Sequence, residues 1–215
     1  MMSTAYASHA TLGPINAVTV HQRLLEALNS VLLRACLTDV GIEDVCNEAG
    51  IDPDTILPRF SAPEDFYIWI LREEDTAFRR AMRAQVDETP CPNEEKLLAT
   101  FDHLIEWFDD LHFFGCPFIN IMGNIRDRDN PIYLEAVRHK SQMVAYFEDL
   151  ARFGRYARPS VIAEEINLLH EGAIAVAQLT GSNHAALRGK KMAARLLANS
   201  EMAVERRQAK IARKK

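Results

Sequence analysis

The chain has 215 residues, 48% hydrophobic and 26% charged, with a formal net charge of -5 and a pI near 5.8. That length and apolar content suffice for one sizeable core, or for a small head on a larger body, and exclude global disorder. The acidic balance excludes a whole-chain basic footprint, so any nucleic-acid contact must come from local charge. Cys36, Cys46, Cys91 and Cys116 form no CxxC pair and no Cys/His set with zinc spacing, which predicts reduced thiols and no metal or cofactor. The opening stretch MMSTAYASHATLGPINAV lacks a basic n-region and a sustained apolar core, and no apolar run approaches the roughly 20 residues of a membrane span. A soluble, cytoplasmic protein is expected.

Residues 1–17 read as a loose arm. A first helix is predicted from about Thr19 to Cys36, with Leu24, Leu25, Leu28, Val31 and Leu32 at three- and four-residue steps. TDVG breaks it, and a short helix follows over Ile42 to Ala49. Gly50 supplies its left-handed stop, Asp52 a good N-cap and Pro53 a good first-turn residue. IDPDTILPRF therefore reads as the second helix of a helix-turn-helix. A long helix runs from about Pro63 to Val86. DETPCPN is the best linker near the boundary of head and body. Then come a helix from Asn93 to about Leu111, the punctuated segment FFGCPFINIMGN, a helix over Pro131 to Phe153, the break GRYARPS, and helices over about 160–180 and 183–205. No strand pattern persists. The fold class is all-α.

The stretch GIEDVCNEAGIDPDTILPRFSAPEDF resembles the head of TetR-type transcriptional regulators at Ile42, Asp44, Val45, Ala49, Gly50, Ile51, Thr55, Ile56, Arg59, Phe60, Glu64 and Phe66. GCPFIN, then HK on a long helix, then LLHEGAIAVAQLTG and AARLLA resemble the regulatory domain of one branch of that family, so the likeness covers about residues 20–199. It implies a homodimer with a helix-turn-helix head over 18–62 and an effector-binding and dimerising body over 63–205. Two terminal helices of each subunit would pair as a four-helix bundle, leaving a basic tail over 206–215. The implied DNA-facing residues are Gly41, Ile42, Glu43, Asp52, Asp54, Thr55, Leu57 and Arg59. The implied partners are an operator in double-stranded DNA, a second copy of the chain and a small effector. The implied role is that of a repressor.

The chemistry departs from the family pattern at the DNA contacts. Asp54 replaces the usual Gly or Lys, Leu57 the usual tyrosine, Pro63 the usual lysine and Gly41 the usual capping threonine. Leu57 has no hydroxyl for a phosphate. Pro58 lacks an N–H and predicts an early helix end. Asp52 and Asp54 suit a helix start better than a phosphate. Residues 19–65 carry three arginines, Arg23, Arg34 and Arg59, against nine acids, a balance of minus six. Such a head binds DNA weakly, because counterion release dominates that affinity. The tail RRQAKIARKK reads either as nonspecific phosphate contact or as a solvated end. A TetR-like dimer whose head no longer binds an operator, serving as a ligand-binding or protein-interaction module, is the alternative reading.

No HExxH, GxSxG, P-loop or GxGxxG pattern occurs and the seven histidines do not cluster, so no enzyme is expected. The candidate effector pocket comprises Phe78, Met82, Phe101, Leu104, Phe108, His112, Phe118, Met122, Val137, Asn167 and His170, an aromatic and methionine lining suited to a hydrophobic ligand. The same residues also read as plain core packing. Ile162, Ile166, Leu169, Ala173, Val176, Met192 and Leu196 are the candidate dimer face.

Overall fold

The structure is a computed structural model. It describes residues 19–32, 34–35, 37–110, 113–200 and 202. The arm at 1–17, the tail at 206–215, Cys36 and His112 lie outside the described residues. Eight α-helices carry the described chain: α1 (Val20–Leu32), α2 (Ile42–Glu48), α3 (Pro63–Glu88), α4 (Lys96–Phe108), α5 (Pro117–Met122), α6 (Pro131–Phe153), α7 (Pro159–Thr180) and α8 (His184–Ala198). Short 3-10 turns cover Leu37–Asp39, Pro53–Thr55, Leu57–Arg59 and Asn93–Glu95. Among the described residues there is no strand, only an isolated bridge between Tyr156 and Met202. The fold is all-α.

Proline and glycine set most of the boundaries. Pro63 and Pro131 open α3 and α6, and the Asn130 side chain accepts from the Ile132 N–H at 2.9 Å to cap the latter. Pro117 and Pro159 open α5 and α7. Gly181 ends α7 at φ 63, its N–H returning to the Ala177 carbonyl at 2.8 Å. The Lys96 ammonium donates to the Val86 and Thr89 carbonyls at 2.6 and 2.8 Å. It thereby satisfies oxygens that the end of α3 leaves over and complements the helix dipole.

The chain divides into two compact units. The first comprises the described residues up to Ala81 together with Phe114–His139, and the second comprises Met82–Phe113 with the described residues from Lys140 onward. This division falls elsewhere than the expected boundary at 62/63. The DETPCPN segment lies inside the second unit and does not separate the two. The physical reason is that α3 and α6 are continuous helices, each contributing to both units, so two of the three crossings fall within helices, and the third falls between Phe113 and Phe114, in the segment FFGCPFINIMGN.

In the first unit α1 packs on α2 and on α5, burying Leu24, Leu28, Val45, Cys46 and Ile121 with Phe66 and Ile70 of α3. In the second, α4 and α7 pack on α8 around Leu97, Phe101, Phe147, Ile166 and Ala193. A Cβ at Gly189 of α8 would stand 2.9 Å from the Phe101 ring, so glycine there sets how closely α8 approaches α4.

Candidate functional site

The head is a helix and a turn followed by something other than an α-helix. Gly50 takes φ 62 and turns the chain after α2, and Arg23 of α1 donates to the Ala49 and Gly50 carbonyls, the latter at 2.9 Å. Gly41 offers α2 no side-chain cap; the Asp44 carboxylate accepts the Gly41 N–H at 2.8 Å instead. Asp52 does cap the next segment, accepting the Asp54 N–H at 3.0 Å, and the Thr55 hydroxyl donates to the Asp52 carbonyl at 2.7 Å. Yet residues 53–59 form two successive 3-10 turns where a recognition α-helix was expected. Pro58 is the cause: without an N–H it cannot bond back four residues, and its ring opposes the preceding turn. The segment is not merely a shortened helix: the Ile56 and Arg59 N–H groups bond three residues back, to the Pro53 and Ile56 carbonyls.

The implied DNA-facing residues are therefore not one presented surface. Ile42 is buried in the α2 core and cannot reach a ligand outside, which corrects its assignment. Glu43, Asp52, Asp54, Thr55 and Arg59 are exposed, whereas Gly41 and Leu57 are half-buried. All three head arginines already have partners. Arg23 is bound to the turn, Arg34 pairs with Glu48 at 2.9 Å, and the Arg59 guanidinium lies 5.5 Å from the centre of the Trp69 ring. Trp69 in turn packs on Phe60, Phe66 and His21.

The candidate effector residues separate by unit. Phe78 and Phe118 are buried in the first and Met122 is half-buried there. Val137 is 38% exposed and does not line an interior, which corrects that assignment. Met82, Phe101, Leu104, Phe108 and His170 are buried in the second unit, with Asn167 half-buried.

Each unit has its own polar centre, and neither was anticipated from the sequence. In the first, Phe118 stacks flat on His139 at 3.7 Å and Phe78 meets the same ring edge-on at 6.0 Å. His139 Nδ1 lies 2.7 Å from Asp75. Arg79 donates twice to Asp75 at 2.7 Å, and Arg138 donates once at 3.1 Å. Arg138 and Arg72 also bind Glu135. Burial alone would raise the Asp75 carboxyl, but the bonds and charges of His139 and Arg79 hold it well below the usual range. An ionised carboxylate only accepts, so His139 Nδ1 carries the proton. The i,i+4 pairing of Asp75 with Arg79 was a sequence signal for half of this network; its partners on α6 were not readable.

Glu74, the neighbour of Asp75, is buried, and burial with the Asp75 charge pushes its carboxyl up to about 7. The unfolded chain releases that proton near 4.5, the folded protein only near 7. The stability it contributes is complete below pH 4.5 and is lost as the pH rises through 7. Glu74→Gln is therefore expected to stabilise the protein by about 2 kcal/mol more at pH 8 than at pH 5, less than the full ~3 kcal/mol that 2.5 pH units represent, because part of the loss has occurred by pH 5. Urea titrations at both values measure it, and a difference unchanged between them contradicts the assignment.

In the second unit Phe101 and Phe147 pack on His170 at 4.3 and 4.8 Å. The Thr100 hydroxyl donates to the Leu97 carbonyl at 2.6 Å and lies 2.8 Å from His170 Nε2. Burial, aided by the Lys140 charge and by the proximity of His103, pushes His170 down to about 3, and burial pushes His103 down to about 4. Both rings are neutral.

The candidate dimer residues also part company. Ile162, Ile166 and Ala173 are buried within the chain, against α7's own neighbours, which corrects their assignment to an outer face. Leu169 and Leu196 are half-buried. Val176 and Met192 are 48% and 53% exposed. At about 100° per residue, Val161, Leu168, Gly172, Ala175, Val176 and Leu179 fall on one outward stripe of α7. Leu168 is 72% and Leu179 86% exposed, and nothing lies within 4 Å of a Cβ built at Gly172.

No described helix is long and apolar enough to cross a membrane. No family model matches the sequence, and no curated protein matches it. Solved structures do. A TetR-family transcriptional regulator from Streptomyces coelicolor superimposes with a TM-score of 0.72 at 19% identity, over 84% of this chain and 95% of that one. The reduced form of NemR from E. coli gives 0.67 at 15% identity, over 85% and 98%. The regulatory protein TetR from Rhodobacter sphaeroides gives 0.66 at 20%, over 82% and 97%. With its described helices in this order and the turn at Gly50 in place, the chain has the fold of the TetR-family transcriptional regulators.

Proposed function

We propose that this protein is a cytoplasmic, homodimeric, ligand-responsive transcriptional regulator of the TetR type, a repressor that meets DNA through the first unit and binds a small hydrophobic effector through its body. The observation that carries this reading is the helix, left-handed glycine turn and capped following segment at 42–59, set within a chain of TetR fold. The outward apolar stripe on α7 supports the dimer, since Leu168 and Leu179 are the most exposed large hydrophobic residues among those described.

One observation favours a second reading. The recognition segment is 3-10, its surroundings carry a balance of minus six, and each head arginine already has a partner. A head of this kind belongs to a dimer that binds ligand or protein and no operator. Gel shifts on DNA flanking its own gene, at a series of salt concentrations, separate the two. A repressor forms a specific complex that outcompetes random DNA. Each protomer offers three head arginines, so a dimer releasing counterions through all of them has a log–log salt slope no steeper than about -5. Arg59→Ala is expected to weaken the complex and flatten the slope by about 1 per protomer. Absence of a specific complex at low salt transfers the protein to the second reading, and a slope much steeper than -5 places cations outside the head on the DNA.

A further inference from the structure

The α7–α8 hairpin of the second unit sorts its charges by helix. α7 carries Glu164, Glu165 and Glu171 and no base, whereas α8 carries Arg188, Lys190, Lys191 and Arg195 and no acid. Glu171 is paired with Lys140 at 2.8 Å and Lys190 with Asp102 at 2.5 Å. The other five are exposed and make no ion pair with any described residue. The two helices pack closely on each other, yet these opposite charges do not meet within the chain.

All five lie on the free side of the hairpin. α4 packs on both α7 and α8, so the exposed sides of the pair face away from α4. On α7, Glu164 and Glu165 lie about 40° and 60° to either side of Leu168 and so flank the apolar stripe. On α8, Arg188, Lys191 and Arg195 fall within about 60° of one another, on the side opposite the buried Ala186, Ala193 and Leu197. Charged rims beside an apolar strip are the layout in which charge selects a partner and apolar area holds it.

The occupant that satisfies both rims at once is a second copy of the hairpin. A nucleic acid or an acidic protein would suit the cations of α8 and be repelled by α7; a basic protein would do the reverse. A two-fold axis sets α7 antiparallel to its mate. The stripe lets the two cross most closely at Gly172, where nothing lies within 4 Å of a Cβ. Glu164 and Glu165 then stand about 11 Å from the crossing, at the end of the partner's α7, where the partner's α8 begins. We propose that Glu164 and Glu165 pair with Arg188 and Lys191 of the partner subunit, once on each side of the axis, and that this match makes the chain select a copy of itself. The proposal rests on the homodimer reading above and adds to it the basis of partner choice.

The test is a charge exchange on the full chain. One variant carries Glu164→Lys with Glu165→Lys, the other Arg188→Glu with Lys191→Glu. Either alone sets like charges across both halves of its homodimer, whereas a mixed dimer has opposite charges in both. The four positions are exposed, so each variant is expected to keep the parent's helical signal at 222 nm. One variant is labelled with nitrogen-15, the two are unfolded together in urea and refolded, and the dimers are counted by native mass spectrometry. At low salt about nine-tenths are expected to be mixed, which corresponds to each homodimer being about tenfold weaker. That fraction is expected to fall toward the random value of about half as sodium chloride screens the pairs. If a reversed variant does not refold, Glu164→Gln with Glu165→Gln replaces it, and its dimer is expected to dissociate about threefold more readily than the parent's at low salt. Random mixing, an excess that salt does not reduce, or an unchanged glutamine variant overturns the charge match while leaving a dimeric parent, and with it the homodimer reading, intact. A parent that is monomeric by light scattering overturns both.

Discussion

Replacing Asp75 with alanine is expected to destabilise the protein by about 3 kcal/mol, near the lower end of the range for breaking a buried ion pair. The magnitude follows from what is left behind. Asp75 accepts from His139, Arg79 and Arg138, and its side chain is 1% exposed. Without it, Arg138 at 39% and Arg79 at 24% exposure can turn toward water and recover part of their hydration. His139, at 4%, cannot; its Nδ1–H loses the carboxylate that accepts it, beside the Phe118 ring. Urea unfolding measures the loss as a lower midpoint with the slope unchanged. A loss under about 1 kcal/mol would mean that the network does not join α3 to α6 within the first unit. Asp75→Asn keeps the volume but not the charge, and is expected to recover less than half of the loss, because a neutral amide makes weaker bonds to two guanidinium groups.

Introducing glutamate at Leu168 and Leu179 together is expected to convert a dimer into a folded monomer, halving the mass seen by light scattering while the helical signal at 222 nm stays constant. Both side chains are largely exposed in the single chain, so the charges cost the protomer little. In a two-fold interface the new carboxylates of both chains are taken out of water with no cation opposite them on the apolar stripe, and that cost outweighs what the stripe contributes. The control is Ile162→Glu. Ile162 is 4% exposed and packs inward. Its replacement is expected to lose the folded state itself, by several kcal/mol, because the carboxylate has no partner inside the second unit. If Ile162→Glu instead yields a folded monomer and the Leu168 and Leu179 pair leaves the mass unchanged, the outward stripe is not the dimer face.

These two tests divide along the line between what could and could not be read from residue order. Helices and their ends are local consequences of backbone chemistry. Pro131 to Phe153 was readable to the residue, and α7 nearly so, because Pro159 and Gly181 punctuate it. The Asp52 cap was readable for the same reason. Pro58 announced trouble in the recognition segment, but its full effect was not local. Two prolines five apart, a capped start and an Ile56 side chain committed to the core together leave 3-10 turns as the accessible solution.

Tertiary structure decided the rest, and α7 shows why. Its sequence is apolar on nearly every side, so periodicity offered two plausible faces and could not say which one the chain would bury. Packing against α4 and α8 buried Ile162, Ile166 and Ala173 and turned Leu168 and Leu179 outward. The polar centres depended in the same way on chain reversal. Asp75 and His139 are 64 residues apart, and Thr100 and His170 are 70 apart. No spacing rule links them; only the return of one helix alongside another brings a carboxylate to an imidazole, and burial then sets their protonation. Residue order by itself determined most of the long helices, the ends that proline and glycine mark, and that the head is acidic. The packing of those helices determined which face is outside and which arginines already have partners, because each of these depends on contacts between residues distant in the chain.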